Sequence, residues 1–210
     1  PLDGLPMRYR RMPFGPPPRR KFTLPVNAPG LALNRWTVGA FNALYYRSAL
    51  QKPRTAHVPW ESFFYPLDSI LGWNRIYGRR GFVQFQCVLP EAEARAGLTA
   101  LLTAISEAGQ GSFLSVLKKL GAPGGRFSFP MTGYTLALDF PVSDKVLALM
   151  QRLDRITLDH GGRFYLAKDA RLSADTLHAA DPRAAEFAQM RKDSGAADAF
   201  ASLQSERLKL

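Results

Sequence analysis

The chain has 210 residues, 46% hydrophobic and 21% charged, with a formal net charge of +11 and a single cysteine. That composition excludes a disordered polymer, an α-helical membrane span of roughly 20 apolar residues, an internal disulfide framework and a cysteine-built zinc site. The charge is local: residues 1–60 hold ten Lys or Arg and one acid, while residues 61–210 hold eighteen Lys or Arg and sixteen acids. A basic arm, not the body, therefore suits an anionic partner: a phosphate group, an anionic membrane surface or nucleic acid.

Residues 1–30 contain eight prolines, which predicts extended chain poor in helix. No apolar run of the kind found in a secretory signal accompanies the basic residues, and the opening Pro1-Leu2-Asp3 reads as a processed end or a piece of something longer. Trp36, Ala40 and Leu44 recur at helical spacing over 33–47, and the polar stretch 50–62, with Pro53 and Pro59, predicts a loop. From 81 the pattern sharpens. Residues 81–90 alternate, with Phe82, Gln84 and Gln86 on one face and Val83, Phe85 and Cys87 on the other, which predicts a strand. A helix over 91–108 follows, with Leu98, Leu101, Leu102 and Ile105 on one stripe and Gly109 at its end. A second strand is predicted over 112–120, a turn at Pro123-Gly124-Gly125, and a third strand over 134–140 with Thr135, Ala137 and Asp139 on the face opposite Leu136 and Leu138. Ser143 caps a helix through His160 that turns Val146, Leu149, Met150 and Leu153 inward, and Gly161-Gly162 ends it. A fourth strand over 163–167 and helices over 173–180, 182–192 and 199–207 complete the chain. The order β-α-β-β-α-β predicts an α+β fold: a ferredoxin-like antiparallel sheet with helices on one face and a helical C-terminal tail.

The face that the helices leave open carries the chemistry. Gln84 and Gln86 point the same way, as do Thr135 and Asp139, beside a strand bearing Lys118 and Lys119, and Lys168 stands at the end of the fourth strand. Such a face suits a polar ligand, and it also suits the solvated side of an antiparallel sheet. Cys87 falls on the apolar face, which predicts an inert thiol. The three histidines lack metal-ligand spacing, no nucleophile–base set is visible, and Gly121–Gly125 is a turn rather than a phosphate loop. RNA-recognition domains share the strand order, but the aromatic stretch Gly81 to Phe85 lies on the first strand instead of the third, and Asp139 would repel phosphate. Nucleic acid is accordingly not the expected partner.

Several longer motifs occur in order: Leu33-Asn34-Arg35-Trp36, Phe64-Tyr65-Pro66-Leu67-Asp68, Trp73-Asn74-Arg75-Ile76-Tyr77-Gly78, Gly81-Phe82-Val83-Gln84-Phe85-Gln86, Ser112-Phe113-Leu114 through Lys118, Ser128-Phe129-Pro130, Asp139-Phe140-Pro141, Gly161-Gly162-Arg163-Phe164-Tyr165 and Ala167-Lys168-Asp169. With these, the chain from about residue 20 to its end resembles the vanillyl-alcohol-oxidase family of FAD-linked oxidases. The resemblance implies a partial chain, since the N-terminal region that wraps the FAD pyrophosphate in that family has no counterpart here. The implied divisions are a basic arm and helix at 1–60, a substrate-binding cap at 61–163 and a segment returning to the flavin domain at 164–210. The implied reaction is oxidation of a sugar hydroxyl, C2 of a polyprenyl-phosphoryl pentose, by hydride transfer to flavin N5, followed by a reductase that completes an epimerisation. In that reading Lys168 supplies positive charge at the flavin N1/C2-carbonyl edge, Gln84, Gln86 and Lys118 bind the sugar or its phosphate, and Tyr65 lines the pocket. Ala137 replaces a cysteine found in mycobacterial members, and Thr135 replaces an asparagine, which leaves the polar contacts there open. The proton acceptor for the substrate hydroxyl is not placed. The basic arm would lie at an anionic bilayer, consistent with a cytoplasmic or peripheral inner-membrane location, and the chain alone is expected to be inactive. A same-family oxidase of a soluble sugar or polyol, and a basic binding module without catalysis, stay open.

Overall fold

The computed structural model describes residues 21–29, 35–50, 64–65, 70–112 and 114–210. Most of the expected proline-rich arm, and the loop expected after residue 50, lie outside them. The chain divides into two compact units between Arg79 and Arg80.

In the first unit, β1 (Phe22–Thr23) pairs in parallel with β2 (Ile70–Leu71). Arg75 Nη1 clamps the chain after β1, donating to the Leu24 and Pro25 carbonyls at 2.7 and 2.9 Å. The predicted helix is present as α1 (Arg35–Leu50). Its helical spacing does not mark a buried stripe, because Trp36 and Leu44 are 72% and 68% exposed.

The second unit is built on a four-stranded sheet of β3 (Phe82–Pro90), β4 (Ser115–Leu120), β5 (Gly133–Pro141) and β6 (Arg163–Phe164), in spatial order β4-β5-β3-β6. Every pairing is antiparallel, and Gln84 stands opposite Asp139, Gln86 opposite Ala137 and Lys118 opposite Thr135. This is the split β-α-β order, with β5 inserted between the two strands that flank the first helix. Helices α2 (Ala94–Glu107) and α3 (Asp144–Asp159) cover one face. Val83, Phe85, Cys87, Leu89, Leu136, Leu138 and Phe140 are buried on that side, as strict alternation requires.

Three local features differ from the sequence reading. The α2 stripe consists of Ala94, Gly97, Leu101, Ala104 and Ile105, while Leu102 is 52% exposed. The reason is close approach: a Cβ at Gly97 would lie 2.7 Å from Leu89 Cδ1, so the helix meets the sheet through its smallest residues. Strand β4 begins at Ser115 rather than at 112; just before it the Asp139 N–H is shared between the Ser112 hydroxyl at 3.0 Å and the Leu114 carbonyl at 3.2 Å. Strand β6 has only two residues, and Leu166–Lys168 turns as a 3₁₀ helix.

The caps follow the sequence reading. Ser143 Oγ accepts the Val146 N–H at 3.2 Å, and Gly161 takes a left-handed φ of 63° just past α3. The C-terminal region is helical: α4 (Ala174–Ala180), α5 (Arg183–Asp193), α6 (Ala196–Ala199) and α7 (Leu203–Leu208). Leu172, Leu177, Ala184 and Leu208 join the same core as the sheet residues. Phe164 meets Phe85 edge-on at 6.3 Å. No helix among the described residues is long and apolar enough to cross a membrane.

Candidate functional site

The open face of the sheet is where β3, β5 and β4 place the residues that alternate with the core: even-numbered on β3 and β4, odd-numbered on β5. Gln86, Val116, Lys118, Leu120, Thr135 and Ala137 come from these strands, and Phe129, Pro130, Tyr165 and Lys168 from the loops around them; together they line a cavity of about 450 Å³. Its walls are mainly apolar, with a few converging polar groups, as small-molecule sites are built. The Phe129 and Tyr165 rings lie 4.8 Å apart with their planes inclined by 39°, giving the cavity one aromatic wall. A narrow crevice of about 20 Å³ next to it brings Gln84, Gln86, Tyr165, Lys168 and Arg171 together.

The polar groups are held from beneath. Gln84 Nε2 donates to Asp139 Oδ1 at 2.8 Å, and Gln86 Nε2 donates to Thr135 Oγ1 at 3.1 Å. Thr135 in turn donates to the Cys87 carbonyl at 2.8 Å. Lys118 and Lys119 separate by strand alternation. Lys118 reaches the cavity, whereas Lys119 leaves by the other face, where it pairs with Glu91 at 2.6 Å and lies 5.6 Å over the Tyr134 ring.

Lys168 ends a turn pinned from two sides. Tyr165 N–H donates to the Gln86 carbonyl at 3.0 Å, and the turn closes with Lys168 N–H to the Tyr165 carbonyl at 3.1 Å. From α3, Asp154 accepts from both terminal guanidinium nitrogens of Arg171, at 2.6 and 2.7 Å. From α7, Gln204 Nε2 donates to the Leu166 carbonyl at 2.6 Å, and Arg207 Nη2 to Asp169 Oδ2 at 2.8 Å. Asp169 Oδ1 also accepts the backbone N–H groups of Arg171 and Leu172, at 2.9 and 2.7 Å. Burial alone would raise the Asp169 carboxyl; the donors from Arg171, Arg207 and Leu172 outweigh it and hold the group below its ordinary value. The C-terminal helices thus act as the buttress of the turn that presents Lys168.

A second polar cluster flanks the site. Asp181 accepts two bonds from the Arg183 guanidinium, at 2.8 and 2.6 Å, with Arg163 at 3.9 Å. Burial pushes the Asp181 carboxyl up, and the Arg183 and Arg163 cations more than offset it. Burial likewise pushes the Cys87 thiol up to about 12. The sulfur is fully buried under the helices and takes no part in the cavity. Among the described residues no group of three metal-ligating side chains occurs.

Of the side chains singled out in the sequence, Gln86, Lys118, Thr135, Ala137 and Lys168 therefore meet in one cavity, and Gln84 lines the adjoining crevice with Gln86 and Lys168. Tyr65 belongs to the first unit and is 51% exposed. Sequence reasoning did not assign Phe129 and Tyr165 to the cavity. Phe129 lies in a loop, where no alternation places it, and Tyr165, inside the strand expected over 163–167, lies just past the observed end of β6 at Phe164.

No family profile matches the chain. Over its whole length it is 35% identical to a decaprenylphosphoryl-β-D-ribose oxidase of Mycolicibacterium smegmatis, of which it covers 45%. It is 26% identical to an uncharacterized protein in the mprA 5′ region of Streptomyces coelicolor, of which it covers 59%. The chain thus spans about half the length of these relatives, and it is a distant homologue of the C-terminal part of the first.

Proposed function

We propose that this chain is the substrate-covering, C-terminal portion of an FAD-dependent oxidoreductase that oxidises C2 of a polyprenyl-phosphoryl pentose. One observation carries the reading: in a chain homologous throughout to part of a decaprenylphosphoryl-ribose oxidase, two lysines, an amide, a hydroxyl and an aromatic wall converge on one cavity of about 450 Å³. The donor set fits a flavin edge and a sugar phosphate. Flat Tyr165 and Phe129 suit a ring, and an ammonium at Lys168 suits a carbonyl-rich ring edge. When bound, FAD would supply the hydride acceptor. Lys168 would hold positive charge at that edge, and Lys118 would meet the substrate phosphate. Gln84 and Gln86 would orient the pentose hydroxyls, and Val116, Leu120, Pro130 and Ala137 would exclude water. Because position 137 carries a methyl group, it offers no thiol to thiol-directed inhibitors.

Two partners belong to this reading. A reductase would consume the keto product and complete the epimerisation. The ten basic residues of 1–60 would hold the protein at an anionic bilayer where a lipid-linked substrate resides. Stronger flotation with anionic than with neutral vesicles, lost on replacing Arg8, Arg10, Arg11, Arg19 and Arg20, is the expected result for the arm; equal flotation refutes it.

The function is tested by joining this chain to the preceding part of the Mycolicibacterium relative and assaying the chimera. Turnover of a decaprenyl-phosphoryl pentose to a 2-keto product, with none on free alditols, is expected. Turnover of alditols alone would favour the soluble-sugar oxidase, and a flavin-loaded chimera inert to both would overturn the assignment.

A further inference from the structure

The partners beneath the two glutamines decide which end of each amide faces the site. Asp139 is 2% exposed, and as a carboxylate it only accepts, so the Gln84 nitrogen must point at it, as the 2.8 Å contact has it. Its backbone is braced by the Ser112 hydroxyl, which accepts the Asp139 N–H at 3.0 Å and donates to the Leu114 carbonyl at 2.6 Å. Thr135, also 2% exposed, commits its single hydroxyl proton to the Cys87 carbonyl. It has only lone pairs left for Gln86, so that amide too must turn its nitrogen inward. No donor from the described residues reaches the Oε1 atom of either glutamine.

We infer that Asp139 and Thr135 are positioning residues that give the site its polarity. They anchor both amides by nitrogen, so the open face presents two carbonyl acceptors, two residues apart on β3, to hydroxyl hydrogens of a ligand. The donors are segregated to Lys118 and Lys168, which meet its anionic group. The identity of the ligand rests on the sugar-oxidising reading above; the orientation of the amides does not.

The test uses the ¹⁵N-labelled 210-residue chain, with the side-chain NH₂ signals of Gln84 and Gln86 assigned by their loss in Gln84→Met and Gln86→Met. One proton of each pair is expected to exchange about tenfold more slowly than a free amide. Asp139→Leu removes the acceptor and should remove the protection at Gln84 while sparing Gln86, and Thr135→Val should do the reverse. Thr135→Ser keeps the hydroxyl and should keep the protection. If Asp139→Leu fails to fold, the Val and Ser variants at 135 carry the comparison alone. Free exchange in the unmodified chain, or equal behaviour of those two variants, overturns the proposal. Ribose 5-phosphate and 2-deoxyribose 5-phosphate are then titrated against the same signals. Binding about 2–10-fold tighter for ribose 5-phosphate is expected from one lost hydrogen bond. Equal affinity overturns the acceptor role. Absence of binding by either, with the amides still protected, overturns the pentose-phosphate reading instead.

Discussion

Replacing Arg171 by alanine should destabilise the sheet unit by about 3–5 kcal/mol, far more than an ordinary surface ion pair is worth. Both carboxylate oxygens of Asp154 are taken by Arg171, and the two side chains are only 19% and 9% exposed. Removing the guanidinium strands a carboxylate against α3 with no compensating charge. With a urea m-value of about 1–3 kcal/mol/M, the midpoint should fall by roughly 2 M, read by far-UV circular dichroism. The pair is not fully satisfied even when intact, because the buried Arg171 Nε has no protein acceptor. The double variant Arg171→Met with Asp154→Leu should therefore recover to within about 1 kcal/mol of the original chain, since an apolar pair carries no desolvation penalty. A loss below about 1 kcal/mol for Arg171→Ala, the range of exposed pairs, would refute the argument, as would a double variant no better than the single.

Other outcomes follow from the same geometry. Gly133→Ala places a Cβ 2.0 Å from the Leu89 carbonyl oxygen, so β3 and β5 must separate; thermal melting should show a loss of at least about 3 kcal/mol, against no change for Gly121→Ala, where no atom lies within 4 Å. Cys87, with its thiol pushed up to about 12, should resist iodoacetamide at pH 8 in the native chain and react once urea unfolds it. Asp169 and Asp181 are held below their ordinary 3.8 in the folded chain. Their contribution is therefore complete above that value and is lost as pH falls through the lower folded values. Urea midpoints should drop on acidification below about pH 4, and Asp169→Asn with Asp181→Asn should flatten that slope.

What the sequence made legible, and what it did not, has a physical pattern. Strict alternation in β3 and β5 placed the buried and open faces correctly, because a central strand has neighbours on both sides and a one-residue slip would bury Gln84 and Gln86. The Ser143 cap and the Gly161 turn were legible for the same reason: each is a local constraint with a single partner. The α2 stripe was misplaced by one position, at Leu102, because the choice of face depends on Leu89 across the interface and not on hydrophobicity within the helix. The end of β6 was overestimated, since the 3₁₀ turn at Leu166–Lys168 is imposed by Gln204 and Arg207, which lie 38 positions from their partners Leu166 and Asp169. The cavity wall formed by Phe129 and Tyr165 was missed because Phe129 comes from a loop and Tyr165 follows the early end of β6 at Phe164, where the expected alternation no longer holds. The basic character of residues 1–60 was plain in the sequence, and the partner it meets is a question for vesicles.

The most direct test of the central claim is substrate-induced bleaching of flavin absorbance in the chimera, compared with the same protein carrying Lys168→Met. The account predicts that the variant still holds its flavin but bleaches about 10²–10³-fold more slowly with the lipid-linked pentose, as expected when a positioned charge is removed from a site of developing negative charge. Bleaching at an unchanged rate would show that the open face of the sheet does not sit over the reacting ring.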